Sequence, residues 1–209
     1  MPELPEVETV ARQLEPELEG QRIEMLEVLD ERWSRPVPGA ELAAAVGDRT
    51  IVGLGRRGKY LLLRLDGGQT LVMHLRMTGN LILVEGEDVL DPSEGRRLYE
   101  AERSTSARHL RARFVLDDGR EVWFTDPRRF GEAFLIDDVD LEARFAGRVG
   151  VEPLSPEFTP EALGAMASGA RRRSSPSCLT SPGSRGSATS TPTRRSTGRA
   201  CTRYRRPAR

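Results

Sequence analysis

Four segments of this 209-residue sequence carry residue types that could do chemistry on a sugar or a phosphate. The first is the start, MPELPEVETV. Methionine before a small residue is ordinarily removed, which would leave Pro2 with a free secondary amine. An α-amino group titrates near ~7.7–8, so part of it is neutral at physiological pH. A neutral secondary amine can attack the anomeric carbon of a sugar and form an iminium link, as lysine amines do in Schiff bases. Glu3 beside it could move protons as a sugar ring opens. The same two residues also suit a plain helix start, where amides lack partners and acids complement the dipole.

The second segment is GRRGKYLLLRL, in which Lys59 is the only lysine among 32 basic residues. A basic hairpin of this kind can hold a phosphate, and phosphate contacts position a protein on DNA. It could equally be a solvated turn. The third, VMHLRMTGNL, places His74 and Arg76 on one face of a strand and Met73, Leu75 and Met77 on the other. A lone strand histidine is more often structural than functional. Met77 at the strand end could be core or an exposed apolar wedge. The fourth, FTDPRRFGEAFL, opens a turn at Asp126-Pro127 and then presents Arg128, Arg129 and Phe130. Arginines beside an aromatic residue suit insertion into a DNA stack and contact with an orphaned base, or plain surface.

The elements that must position these residues are legible from periodicity. Val7, Val10, Ala11, Leu14 and Leu18 recur at helical spacing and Gly20 supplies a stop, so residues 2–19 read as a helix. Glu15, Glu17 and Glu19 near its end read as a solvated face. Beyond residue 21 the pattern becomes one of alternation and short apolar runs. Strands are expected at 21–29, 49–55, 59–65, 69–75, 79–85, 109–116, 120–125 and 131–136, with tight turns at Asp66-Gly67-Gly68 and Asp117-Asp118-Gly119. This is a mainly β fold with α, a two-layer antiparallel sandwich or flattened barrel flanked by helices. Residues 39–46, 138–147 and 160–168 are helix candidates. The polar stretch 86–107 reads as a long surface loop.

Charge divides the chain more sharply than its net value of zero suggests. Residues 1–169 hold 21 basic residues against all 32 acidic ones, a formal charge of −11. Residues 170–209 hold 11 arginines and no acid, with one leucine and one tyrosine, a composition expected to be disordered. Three regions follow: a β-sandwich over 1–137, a helical linker over 138–169 and a disordered Arg/Ser-rich tail over 170–209. No run of about 18 apolar residues offers a membrane span. The acidic N-terminus does not read as a signal peptide, so a cytoplasmic location is expected. Cys178 and Cys201 alone cannot make a four-cysteine zinc site.

Taken in order, PELPEVETV, GRRGKYLLL, MHLRMTG and DPRRFG resemble the formamidopyrimidine-DNA glycosylase and endonuclease VIII family, and PELPEVE its formamidopyrimidine branch. The resemblance covers roughly residues 2–169. It implies a two-layer β-sandwich with flanking helices and a bacterial, nucleoid-associated repair enzyme acting as a monomer on damaged double-stranded DNA. The reaction implied is removal of oxidised purines such as 8-oxoguanine and formamidopyrimidines, followed by β,δ-elimination at the abasic site. It implies Pro2 as Schiff-base nucleophile, Glu3 as its acid/base partner, and Lys59 and His74 near the lesion's phosphates and sugar. Met77, Arg128 and Phe130 would fill the hole left by the flipped base, with Arg129 also on DNA. Flipping is required because the glycosidic carbon is unreachable inside a stacked duplex.

The family continues with a helix-two-turn-helix domain and a four-cysteine zinc finger, and neither is legible after residue 169. No cofactor is therefore expected in this chain, and the family's structural zinc is expected to be absent. The tail has a codon explanation. Joining the third base of each codon to the first two of the next lets SSPSCLT encode KSFLLD, and GSRGSATSTPT encode VAGIGNIYAD. Only the wobble base is free at each step, so the tail is read as a frame-shifted form of the second domain. Three functions are weighed: a glycosylase/lyase working through Pro2 but impaired, an inactive remnant or weak non-specific DNA binder, and a β-sandwich interaction module with no DNA role.

Overall fold

A computed structural model of the chain describes residues 2–85, 96–97, 107–146 and 148–168. Helix α1 (Leu4–Leu18) buries Val7, Val10, Ala11, Leu14 and Leu18, the face that the spacing selects. Nine strands follow: β1 (Arg22–Val28), β2 (Arg49–Arg57), β3 (Tyr60–Leu65), β4 (Gln69–His74), β5 (Asn80–Val84), β6 (Arg96–Arg97), β7 (Leu110–Leu116), β8 (Glu121–Thr125) and β9 (Glu132–Asp137). Helix α2 (Gly39–Val46) joins β1 to β2, and α3 (Asp138–Phe145) and α4 (Pro160–Ser168) follow the last strand. The eight expected strands and four expected helices all form, with ends shifted by no more than about two residues, within the usual uncertainty of element boundaries.

The strands form one antiparallel sheet in the order β6-β5-β8-β7-β1-β2-β3-β4-β9. Strands β1 and β2 are joined only through Arg22↔Thr50 and Ile23↔Arg49, whereas β3 and β4 pair over six positions. The sheet folds over at that short ladder, and its two halves face each other. Leu61, Leu63, Leu71 and Met73 from one half meet Leu81, Leu83, Phe114 and Phe124 from the other in a single core that also takes the buried face of α1. The result is a two-layer sandwich of the expected kind.

Strand β4 is buried on both faces, because Val72 and Leu62 meet Leu141 and Phe145 of α3 on the outer side. Both turns expected from sequence place glycines at positive φ: Gly67 and Gly68 at 74° and 77°, Gly119 at 82°. Two expectations change. Within 86–107, read wholly as loop, Arg96–Arg97 pairs with Ile82 and Leu83 of β5, and Ala107–His109 forms a 3₁₀ turn. A strand that would otherwise be an open edge recruits a two-residue partner, for which there is no periodic signal. Glu17 is not a free solvated acid, since Arg120 Nη1 donates to its carboxylate at 2.8 Å. The tail expected to be disordered, 170–209, lies outside the described residues.

One end of the sandwich collects the chemistry. The start of β3 lies beside the end of β4, and that beside the start of β9, through Tyr60↔His74 and His74↔Glu132. In the other half the end of β8 pairs with the starts of β5 and β7, through Thr125 to Asn80 and Leu110. Of the three chain crossings between halves, the two short ones, at 75–79 and 126–131, therefore lie at this end, while the longer β1–β2 connection runs from it to the opposite end. The start of α1 arrives there too.

Candidate functional site

Pro2 is buried where α1 begins, and Glu3 stands at the helix N-cap with its N–H donating to Glu6 Oε2 at 2.9 Å. The Glu3 carboxylate forms an ion pair with Lys59 Nζ. The hairpin between β2 and β3 thus delivers the chain's lysine to the first turn of α1, 56 positions away in sequence, with both side chains partly open to solvent. The tight turn needs Gly58 at φ 60°, and a Cβ there would meet Val149 at 3.1 Å.

Arg56 is neither a phosphate-facing nor a solvated residue of the basic hairpin. Its side chain is 4% exposed and fully engaged. It donates to Glu8 Oε2 at 2.7 Å, Glu152 Oε1 at 2.6 Å and Gly58 O at 2.7 Å. Burial alone would lower the Arg56 pKa, but the hydrogen bonds it donates to the two carboxylates, with their charges, outweigh burial and raise the value. Burial likewise works to raise Glu8 and Glu152, and their bonds to Arg56 prevail and hold both carboxyls below the usual range. The guanidinium is buried because α1 and the segment around Glu152 close over it.

His74 ends β4 and packs edge-on to Tyr60, with ring centroids 4.5 Å apart. Its pKa is pushed down to about 4, first by burial and then by the charges of Arg76 and Lys59. Its Nδ1 accepts the Arg76 N–H at 2.8 Å, so the neutral ring carries its proton on Nε2. Arg76 takes a left-handed φ of 54° and pairs with Glu132 at 2.6 Å. Met73 and Leu75 point into the core as the alternation implies, while Met77, beyond the strand, is 36% exposed.

The turn after β8 is organised by Asp126, which is wholly buried. Its carboxylate accepts the Thr78 hydroxyl and the N–H groups of Arg128 (3.0 Å), Phe130 (2.8 Å) and Gly131 (2.7 Å). Gly131 has no room for a side chain, because a Cβ would lie 2.5 Å from the Phe124 ring. Phe130 is 51% exposed, with the Arg128 guanidinium 5.0 Å over its ring. Arg129, at φ 59°, turns the other way and donates to buried Asp30, Nη2 to Oδ1 at 2.7 Å. That hydrogen bond is the main reason the Asp30 carboxyl titrates below its ordinary value.

The structure thus brings Pro2, Glu3 and Lys59 together at one place, and Met77, Arg128 and Phe130 at the loop pair tied by Thr78 and Asp126. His74 bridges towards both through Tyr60 and Arg76. Asp30, Arg56 and Glu152 escape sequence reasoning, because an acid paired with a distant arginine leaves no spacing signal. Asp126 was visible only as an Asp-Pro turn start. Among the described residues no group of histidines, cysteines and acids is arranged to hold a metal, and both cysteines lie outside them. The residues in hand do not fit a four-cysteine zinc site. No helix among the described residues is long and apolar enough to cross a membrane.

A folded-over antiparallel sheet, with an N-terminal helix delivering the chain's start to a loop-built, arginine-bearing end, is a fold class with close relatives. Residues 1–133 match the formamidopyrimidine-DNA glycosylase N-terminal domain. The formamidopyrimidine-DNA glycosylase of Chloroflexus aurantiacus is 45% identical over 166 residues, covering 78% of this chain and 52% of the relative. That of Heliobacterium modesticaldum is 43% identical over 160 residues, covering 76% and 53%. The Lactococcus lactis Fpg in complex with abasic-site DNA superimposes with a TM-score of 0.63 at 30% identity, covering 78% of this chain and 54% of that one. The chain belongs to the formamidopyrimidine-DNA glycosylase family and carries its N-terminal domain. It spans about half the length of the curated relatives it matches.

Proposed function

We propose that this chain carries the catalytic half of a base-excision DNA glycosylase with abasic-site lyase activity on oxidised purines, with Pro2 as nucleophile. The observation that carries the reading is the meeting of Pro2, Glu3 and Lys59 at the sheet end where the two short crossovers lie. Residues 1–137 form the catalytic unit, and 138–169 are the linker that follows it, its first part packed back on the sandwich through Leu141, Phe145 and Glu152. Once Met1 is removed, the lone pair of the Pro2 nitrogen attacks C1′ of the flipped nucleotide. The glycosidic bond breaks and the base leaves with the bonding pair, taking a proton from water; the N–H proton shed by Pro2 passes to the Glu3 carboxylate, which hands it to the ring oxygen as the sugar opens to the iminium. The iminium then permits β,δ-elimination of the two phosphates.

Lys59 supplies a positive charge beside Glu3 and the reacting sugar, and His74 a neutral Nε2–H donor rather than a charge. Arg128 stacked on exposed Phe130, with exposed Met77 nearby, suits the space vacated by an extruded base. The reading draws further support from the Lactococcus lactis relative, whose complexes contain abasic-site DNA and N7-benzyl-Fapy-dG DNA. Within residues 1–169, with Arg56 buried and Arg129 held by Asp30, attraction to the lesion rests on Arg57, Lys59 and Arg128 in a body of formal charge −11, so the activity of this chain is impaired. The test is borohydride trapping on abasic DNA. A covalent adduct lost in Pro2→Gly supports the reading; no adduct, or an equal one after Pro2→Gly, removes Pro2 from its role.

A further inference from the structure

Three chain segments meet on one buried guanidinium, and one of them lies far from the reacting groups. Arg56 holds Glu8 of α1, the carbonyl of Gly58 in the hairpin, and Glu152. The second oxygen of Glu152 accepts the Gly58 N–H at 2.9 Å. Gly58 therefore has both its N–H and its C=O held by this pair, and Lys59 is the next residue. Val149 packs against the Gly58 backbone from the same segment. Glu152 is itself fixed, since its carbonyl accepts both the N–H (3.0 Å) and the hydroxyl (2.9 Å) of Ser155.

We infer that Glu152 is a positioning residue: through Arg56 and Gly58 it makes the placement of residues 148–158 set the placement of Lys59 and the start of α1. The inference rests on the reading of Pro2 and Lys59 given above. Its physical basis is the stiffness of the joint. A buried charge with three short hydrogen bonds has few alternative arrangements, so a shift of the Glu152 segment is passed on rather than absorbed. Misplacement of reacting groups by even ~1 Å can cost up to ~100-fold in rate. The ordering of α1 and the hairpin is thereby coupled to the segment that leads out of the sandwich.

Glu152→Gln separates this from a merely structural role. Glu8 still neutralises Arg56 in that variant, so the fold is retained, while the amide presents a donor where Gly58 N–H or Arg56 needs an acceptor. The full 209-residue chain is used, with hydrogen exchange of the Gly58 amide and borohydride trapping on abasic duplex as readouts. We expect Gly58 exchange to rise at least ~10-fold with Leu63 and Leu71 unchanged. The trapping rate at saturating DNA should fall ~10-fold, with the half-saturating DNA concentration unchanged. Unchanged Gly58 exchange, or faster exchange with an unaltered trapping rate, overturns the inference. Loss of DNA affinity with the saturated rate intact overturns it as well. Failure of the unsubstituted chain to trap is a distinct result, which removes the reading beneath it and the inference together.

Discussion

The Thr78 hydroxyl donates to the buried carboxylate of Asp126, although the two residues stand 48 positions apart and on different crossovers of the sheet. One carboxylate thus locks together the loop bearing Met77 and the turn bearing Arg128 and Phe130. The apolar and aromatic tips are exposed, yet the backbone beneath them is pinned by four donors.

Asp126→Asn keeps the size and removes one acceptor oxygen, setting an amide against the N–H groups of Phe130 and Gly131. Leaving buried donors unsatisfied costs ~1–3 kcal/mol, so a loss of about 2–3 kcal/mol is expected in urea denaturation. A loss below ~0.5 kcal/mol would mean the turn holds its shape without the carboxylate.

Lys59→Ala removes the cation beside Glu3. Excision of an oxidised purine should fall far more than cleavage of a preformed abasic site, because the lost charge bears on placing the intact nucleotide. Single-turnover rates on the two substrates decide this. Equal losses on both would reduce Lys59 to a general phosphate contact.

His74 titrates near 4 in the fold against about 6.5 when unfolded. Between those values the unfolded chain binds the extra proton, so stability falls as pH drops from about 6.5 towards 4 and is level above. The full difference corresponds to about 3 kcal/mol, of which roughly 2 kcal/mol is lost between pH 7 and pH 4.5. Urea denaturation at pH 7 and pH 4.5, compared with His74→Asn, should show the unsubstituted chain losing more on acidification. Parallel losses in the two proteins would place the acid sensitivity elsewhere.

The division of charge gives an ionic-strength prediction. The 11 arginines of residues 170–209 should let the chain bind undamaged duplex and 8-oxoguanine duplex alike, weakly and only at low salt. A variant ending at residue 169 should lose most of that binding. Anisotropy titrations of both duplexes at two salt concentrations test this. A lesion preference that survives the higher salt would show that residues 1–169 discriminate damage unaided.

The sandwich was legible because its cause is local. The alternation through 110–116 and the Asp-Gly turns encode strand, face and reversal within a few residues. The ordered motifs carried the candidate residues for the same reason. What could not be read was pairing at a distance. The exposed-looking GRRGK hairpin hid Arg56 in a buried joint with Glu8 and Glu152, since nothing in a run of basic residues says which will be covered. Arg129 and its neighbour Arg128 look alike in sequence, yet a left-handed backbone at Arg129 sends one to Asp30 and leaves the other over Phe130. Strand β6 has no sequence pattern because two residues cannot show a period.

The hairpin tips at Asp66–Gly68 and Asp117–Gly119 lie at the end of the sandwich away from Lys59, Met77 and Phe130. They are therefore natural handles. A dye, a surface tether or an inserted peptide placed there would hold the molecule by its back, leaving the working end free to meet DNA in any orientation.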